Sequence, residues 1–220
     1  MTDALGPGSH TRVRRLPEKA RYDRDSVYGV LDDAPFAHLA AVVFGLATAL
    51  PTLVVREDDT LFVHGSRSNA VMRAAAEAPR AFVTATVLEG VRLARSGFES
   101  SIAYRSVSVV GPTSFVEDEG RRRELLDRFV DAVVPGRSRE VRPTRDDEVR
   151  RTAVLEVRIE EAAVKVSAGP TDDDEDDRRL PIWAGLVPVV TRYGAPQRFD
   201  DGGDPALEVP PSVRRLLGLS

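Results

Sequence analysis

At 220 residues the chain suits one domain with tails, or a domain with a small appendage. Hydrophobic residues make up 42%, enough for a sizeable core, and the 30% charged residues mix both signs to a net −4, without the basic face of a nucleic-acid binder. The sequence has no cysteine, which removes disulfides, iron–sulfur clusters and thiolate chemistry. Residues 1–15 lack the apolar segment of a secretory signal, and the most apolar stretch, 39–55, is interrupted by Gly45 and Pro51. The expectation is a soluble, cytoplasmic protein with no membrane or nucleic-acid partner.

Residues 1–20 read as a polar arm, poorly ordered until it docks. A short helix is predicted over 23–34: Asp23 or Asp25 can cap it, and Val27, Val30 and Leu31 recur at helical spacing. Strand-like segments follow at 36–44, 48–56 and 61–64. They are separated by Gly45 and by the turn cluster Glu57-Asp58-Asp59, which predicts antiparallel neighbours. Residues 67–78 read as an alanine-rich helix closed by Pro79. Segments 81–88 and 91–95 flank Glu89-Gly90, a two-residue hairpin signal. In 104–110, Val107 and Val109 alternate with Ser106 and Ser108, a half-buried strand; Gly111-Pro112 bends it and 113–117 extends the sheet. The clearest helix covers 118–133, with Leu125, Leu126, Phe129, Val130 and Val133 on one face and Arg121, Arg122 and Arg123 in solvent. Strands at 152–159 and 162–166 complete the pattern. The acidic run 172–177 reads as a solvated loop, and the segment beyond Trp183 is rich in glycine and proline. Six or more strands with two or three helices indicate a closed α+β barrel.

Two segments carry candidate chemistry. His64-Gly65-Ser66-Arg67-Ser68-Asn69 runs from a strand into a helix. Orphan N–H groups and a partial positive charge at a helix start favour an anion. Ser66 or Ser68 can donate a hydroxyl, Arg67 or Arg73 can add charge-assisted bonds, and Gly65 lets the backbone approach. The plain alternative is a capped helix with Ser66 or Ser68 as N-cap. The second segment is the polar loop 95–103 feeding a strand with Tyr104, Arg105 and Ser106; a half-buried Arg105 needs a partner. The three histidines show no metal-ligand spacing, and no Walker, dinucleotide-binding or nucleophile-elbow motif is present. Trp183 is either core or a stacking partner.

Taken in order, several motifs resemble the pyridoxamine 5′-phosphate oxidase-like superfamily of FMN-binding split barrels, nearest its nitroimidazole-resistance (Nim)-like branch. They are Arg15-Leu16-Pro17-Glu18-Lys19-Ala20-Arg21-Tyr22-Asp23, Leu61-Phe62-Val63-His64-Gly65-Ser66, Tyr104-Arg105-Ser106-Val107-Ser108-Val109-Val110-Gly111, Pro135-Gly136-Arg137 with Arg142-Pro143, and Ile182-Trp183-Ala184-Gly185. The resemblance spans about residues 12–188. It implies a six-stranded antiparallel split β-barrel with flanking helices over 21–188, an arm over 1–20, a tail over 189–220, and a homodimer with FMN at the subunit interface. Ser68 falls where the oxidase branch has a phosphate-binding serine, and Asn69 falls where that branch has arginine. His64 matches the histidine facing flavin and substrate and is the implied catalytic residue. Pro51, Thr52 and Leu53 fall on the strand bordering the flavin ring, Val63 leads into the phosphate segment, Arg105 and Ser106 fall on the opposing strand, and Trp183 resembles a late flavin-contacting tryptophan. The Arg-x-His pair that grips the oxidase substrate is missing: after Trp183 the chain has Arg192-Tyr193-Gly194.

These readings give an FMN-dependent oxidoreductase acting on an unknown small molecule other than pyridoxamine phosphate. The alternatives are a flavin store or sensor without turnover, or the same barrel using a deazaflavin or haem.

Overall fold

A computed structural model describes residues 4–200, 204 and 206–219. Among them are ten strands: β1 (Ala20–Arg21), β2 (Phe36–Val43), β3 (Leu46–Glu57), β4 (Thr60–Gly65), β5 (Ala81–Leu93), β6 (Ser101–Gly111), β7 (Thr113–Phe115), β8 (Ala153–Arg158), β9 (Glu161–Ser167) and β10 (Gly185–Pro188). Five α-helices accompany them: α1 (Arg24–Asp33), α2 (Ala70–Glu77), α3 (Glu119–Val133), α4 (Asp146–Arg151) and α5 (Pro211–Leu216). The architecture is the expected antiparallel α+β one, with ten strands in place of six. Short edge pieces, β1, β7 and β10, account for part of the excess and lie below the length that alternation reveals.

The strand path runs β1-β9-β6-β5-β2-β3-β4-β8-β7, with β10 attached to β5. All pairings are antiparallel. The first part of β3 pairs with β2 from Leu46–Val43 to Leu53–Phe36, and its last four residues pair with β4. The β2–β3 turn places Phe44 at φ 49° and Gly45 at φ 81°. Two successive positive φ values match the twist of a tight hairpin, and glycine takes the second without strain.

Glu89-Gly90 forms no hairpin. β5 continues through it, with a register shift between Leu88 and Gly90, and pairs with β6 on both sides. A bulge accommodates the extra residue that the sequence suggested was a turn.

The core follows from alternation. Ala37, Leu39, Val83, Ala85, Val107 and Val109 point inward and are buried, joined by Val27, Val30 and Leu31 of α1 and Met72 and Ala75 of α2. Burying a leucine such as Leu39 contributes about 1.5–3 kcal/mol. A second cluster, Val55, Phe62, Leu125, Phe129 and Val154, lies under α3. The buried face of α3 is narrower than expected: Val130 and Val133 are exposed, while Arg122 is buried and donates to the carbonyls of Val116 and Glu117.

The N-terminal arm is docked, with Leu5 buried and bonded through its backbone to Tyr22 and Ala162. Near the C-terminus, Ser212 of α5 donates its backbone N–H to Glu140 at 2.8 Å. No helix among the described residues is long and apolar enough to cross a membrane.

Candidate functional site

The site is set by where two ladders part. β3 and β4 pair from Glu57–Thr60 to Val54–Val63. Beyond that point β3 turns to β2, while β4 continues beside β8 as far as Gly65–Ala153. The ladder is not continued through Thr52 and Leu53 to His64 and Gly65, and the point where β3 and β4 part forms the β3–β4 opening.

On one side of this opening lies the outer face of the sheet. His38 pairs with both Pro51 and Thr84, Phe36 pairs with Leu53, and Thr86 pairs with Ser106. Directly paired residues project to the same side. Phe36, His38, Pro51, Leu53, Thr84, Thr86 and Ser106 thus share one face, opposite the buried Ala37, Leu39 and Val83. Phe36 is 63% exposed and meets His38 edge-on at 6.3 Å between ring centroids. Sequence reasoning missed Phe36, His38, Thr84 and Thr86; their strict alternation with core residues was the available signal. Thr52 pairs with Ala37 and is buried, so its side chain belongs to the inner face.

On the other side lies the loop from β4 into α2. The helix starts at Ala70, three residues later than predicted, and neither serine caps it. Asn69 does: its Oδ1 accepts from the N–H groups of Val71 at 3.0 Å and Met72 at 3.1 Å. Ser66 and Ser68 are left exposed, their hydroxyls 2.8 Å apart. Arg67 is exposed, ion-paired to Glu117 at 2.5 Å, and lies over the Phe115 ring. Arg73 is paired with Glu77 at 3.8 Å. Gly65 is small for the helix behind it, since a Cβ there would sit 2.8 Å from Met72 Sδ.

His64 lies at the end of β4, where the strand leads into this loop. Its ring packs against Phe129, with centroids 4.3 Å apart, and its Nδ1 is buried without a hydrogen-bond partner. Burial pushes its pKa below the ordinary histidine value, which keeps the imidazole neutral near pH 7.

Two predicted residues lie elsewhere. Arg105 pairs across the ladder with Val87, away from the outer face, and donates to Glu89 at 2.6 Å and Asp33 at 2.9 Å. These are the partners its half-buried charge requires. Trp183 is 65% exposed, beside β10 at the Leu93 end of β5. Tyr104 shares the outer-face phase through its pairing with exposed Leu88.

A family model described as pyridoxamine 5′-phosphate oxidase matches residues 23–166, which contain the loop, both sides of the opening and His64. The chain belongs to the pyridoxamine 5′-phosphate oxidase family. Among solved structures of similar fold, the flavocytochrome Anf3 from Azotobacter vinelandii is 33% identical, with a TM-score of 0.88 over 96% of this chain and 97% of that one. The FAD and haem binding protein from Mycobacterium smegmatis is 36% identical, with a TM-score of 0.84 over 90% of this chain and 97% of that one. A protein described as a 5-nitroimidazole antibiotic resistance protein, from Bacteroides thetaiotaomicron, shares the fold at 19% identity and a TM-score of 0.57, over 67% of this chain and 86% of that one. No curated protein sequence matches the chain.

Proposed function

We propose that this protein binds a flavin at the β3–β4 opening and uses it as an oxidoreductase on an unknown small molecule. The observation that carries the reading is the meeting of an apolar floor and a polar loop at one opening, in a chain of this family. The residues fit the group. Ser66 and Ser68 offer exposed hydroxyls beside a helix start, suited to a phosphate. Phe36, Pro51 and Leu53 offer apolar surface to a ring system, and Thr84, Thr86 and Ser106 offer polar edges. A bound flavin supplies hydride or single-electron transfer; the protein supplies orientation and the exclusion of water. His64, held neutral by burial, is the imidazole beside the loop that can accept or pass on a proton during turnover. FMN, with one phosphate, matches a single phosphate loop. Exposed Val42, Phe44 and Leu46 at the β2–β3 hairpin support a homodimer that covers them.

A second reading adds haem to the flavin. It is favoured by the two relatives above 30% identity, one described as a flavocytochrome and the other as binding FAD and haem. His64 and His38 are the imidazoles at the opening, whereas His10 is engaged by Glu161. Absorbance of the protein as purified, and after separate additions of FMN, FAD and hemin, tests both readings. Flavin bands with released FMN support the first reading, and released FAD corrects the form of the flavin. A Soret band lost in His64→Ala supports the second. A colourless protein that takes up none of the three refutes both. A flavin-loaded protein that oxidises no NAD(P)H and reduces no acceptor is a store or sensor instead.

A further inference from the structure

A cavity of about 610 Å³ lies where β10 joins the end of β5, and none of its lining residues belongs to the opening described above. Arg92, Leu93, Arg95, Pro170, Arg178 and Leu186 are among its walls. The order of burial is inverted here: Val91 and Leu93 are exposed, while Arg92 between them is 6% exposed. An arginine occupies the inward position that alternation reserves for an apolar side chain. Its guanidinium donates to Ser167 Oγ at 3.2 Å and to the Pro170 carbonyl at 2.6 Å, and its Nε has no partner. Both acceptors are neutral, and among the described residues no carboxylate forms an ion pair with it. A buried charge without a counter-charge is costly, so such groups are normally paired.

The acid nearest in the lining does not supply the pairing. Asp173 is 4% exposed and is held by Arg95, whose Nη1 lies 2.8 Å from Oδ2 and whose backbone N–H lies 3.0 Å from Oδ1. Those two charges cancel, and that of Arg92 remains. Arg178, exposed in the same lining, adds a second cation with no ion pair among the described residues. Pro170, Ala184 and Leu186 add apolar wall, beside the hydroxyl of Thr171.

From this we infer that the cavity is a binding site for a small organic acid. Its carboxylate or phosphate lies against Arg92, with Arg178 at the mouth, and its apolar body lies against Leu186, which pairs with Arg92, and Pro170. The inference does not rest on flavin binding. Trp183, the only tryptophan, reports on the site, because a Cβ on the lining residue Gly185 would lie 2.8 Å from its ring.

The test is calorimetric titration of the full chain, as purified, with benzoate, phenyl phosphate and uncharged benzamide, followed in parallel by Trp183 fluorescence. Benzoate or phenyl phosphate is expected to bind once per chain, with the tighter of the two naming the anion, and benzamide at least about tenfold more weakly. Arg92→Gln is expected to lose at least about tenfold in affinity for the acid, and Arg178→Gln about threefold. Flavin content is expected to stay unchanged in both variants. Arg178→Gln, at an exposed position, keeps the test valid if Arg92→Gln does not fold. Equal binding of benzamide, no binding of either acid, unchanged affinity in the variants that fold, or displacement of benzoate by FMN or FAD overturns the inference.

Discussion

Asn69 stands at a position where two roles compete, and substitution separates them. Its carboxamide oxygen accepts two backbone N–H groups at 3.0 and 3.1 Å, so it holds the start of α2. Asn69→Ala removes both bonds, but water reaches this half-buried turn and replaces part of them. The net loss is therefore that of an ordinary N-cap, about 1 kcal/mol. For a chain of this size that corresponds to a fall in Tm of about 2–4 °C. Asn69→Asp keeps an equally good cap and leaves Tm nearly unchanged. It also places a negative charge beside Ser66 and Ser68. A charge pair near 4 Å is worth about 1 kcal/mol in water and about 4 at a protein surface, so flavin affinity is expected to fall by about tenfold or more. Thermal melts and fluorescence titration with FMN read the two effects. An unchanged Tm in Asn69→Ala refutes the cap, and undiminished flavin affinity in Asn69→Asp refutes the phosphate seat.

Other outcomes follow from the same geometry. His64 is held neutral by burial, with a folded-state pKa below its ordinary 6.5. The unfolded chain thus binds this proton more readily, and stability falls as pH drops from about 7 through the folded-state value. His64→Gln should flatten that part of the pH–stability curve, measured by urea denaturation at a series of pH values. Arg105→Met strands Glu89 and Asp33 beside each other and should cost about 1–2 kcal/mol at pH 7, read from denaturant melts. Gly111→Ala places a Cβ 1.6 Å from the backbone oxygen of Arg158, which no rotamer relieves. A loss of about 3 kcal/mol is expected, read as reduced soluble yield and a lower Tm.

The elements legible in the sequence were those with a sustained period. The long strands declared themselves by alternation and α3 by its apolar spacing. Glu89-Gly90 misled because a bulge uses the same residues as a turn, and only the ladder to β6 distinguishes them. The strand-to-helix junction at 64–69 was legible, but the residue that caps the helix was not: the sequence points to Ser66 or Ser68, and Asn69 does it. All three residues suit an N-cap, so residue type alone does not choose among them. The outer face was not legible as a site, because Phe36, His38 and Thr84 become neighbours only through pairing of distant strands. Arg92 was hidden for a related reason: its burial depends on the bulge and on β10, neither of which marks the sequence strongly.

The division of β3 between two partners also bears on how the molecule comes apart. β3 is a single 12-residue segment, bonded to β2 along one part and to β4 along the other. Neither half can detach without dragging a strand out of the remaining ladder and opening both apolar clusters. The two halves should therefore behave as one cooperative foldon, with amide protons of β2 and β4 exchanging at similar global rates. Movement at the β3–β4 opening can then be local, while the frame around it yields only as a whole.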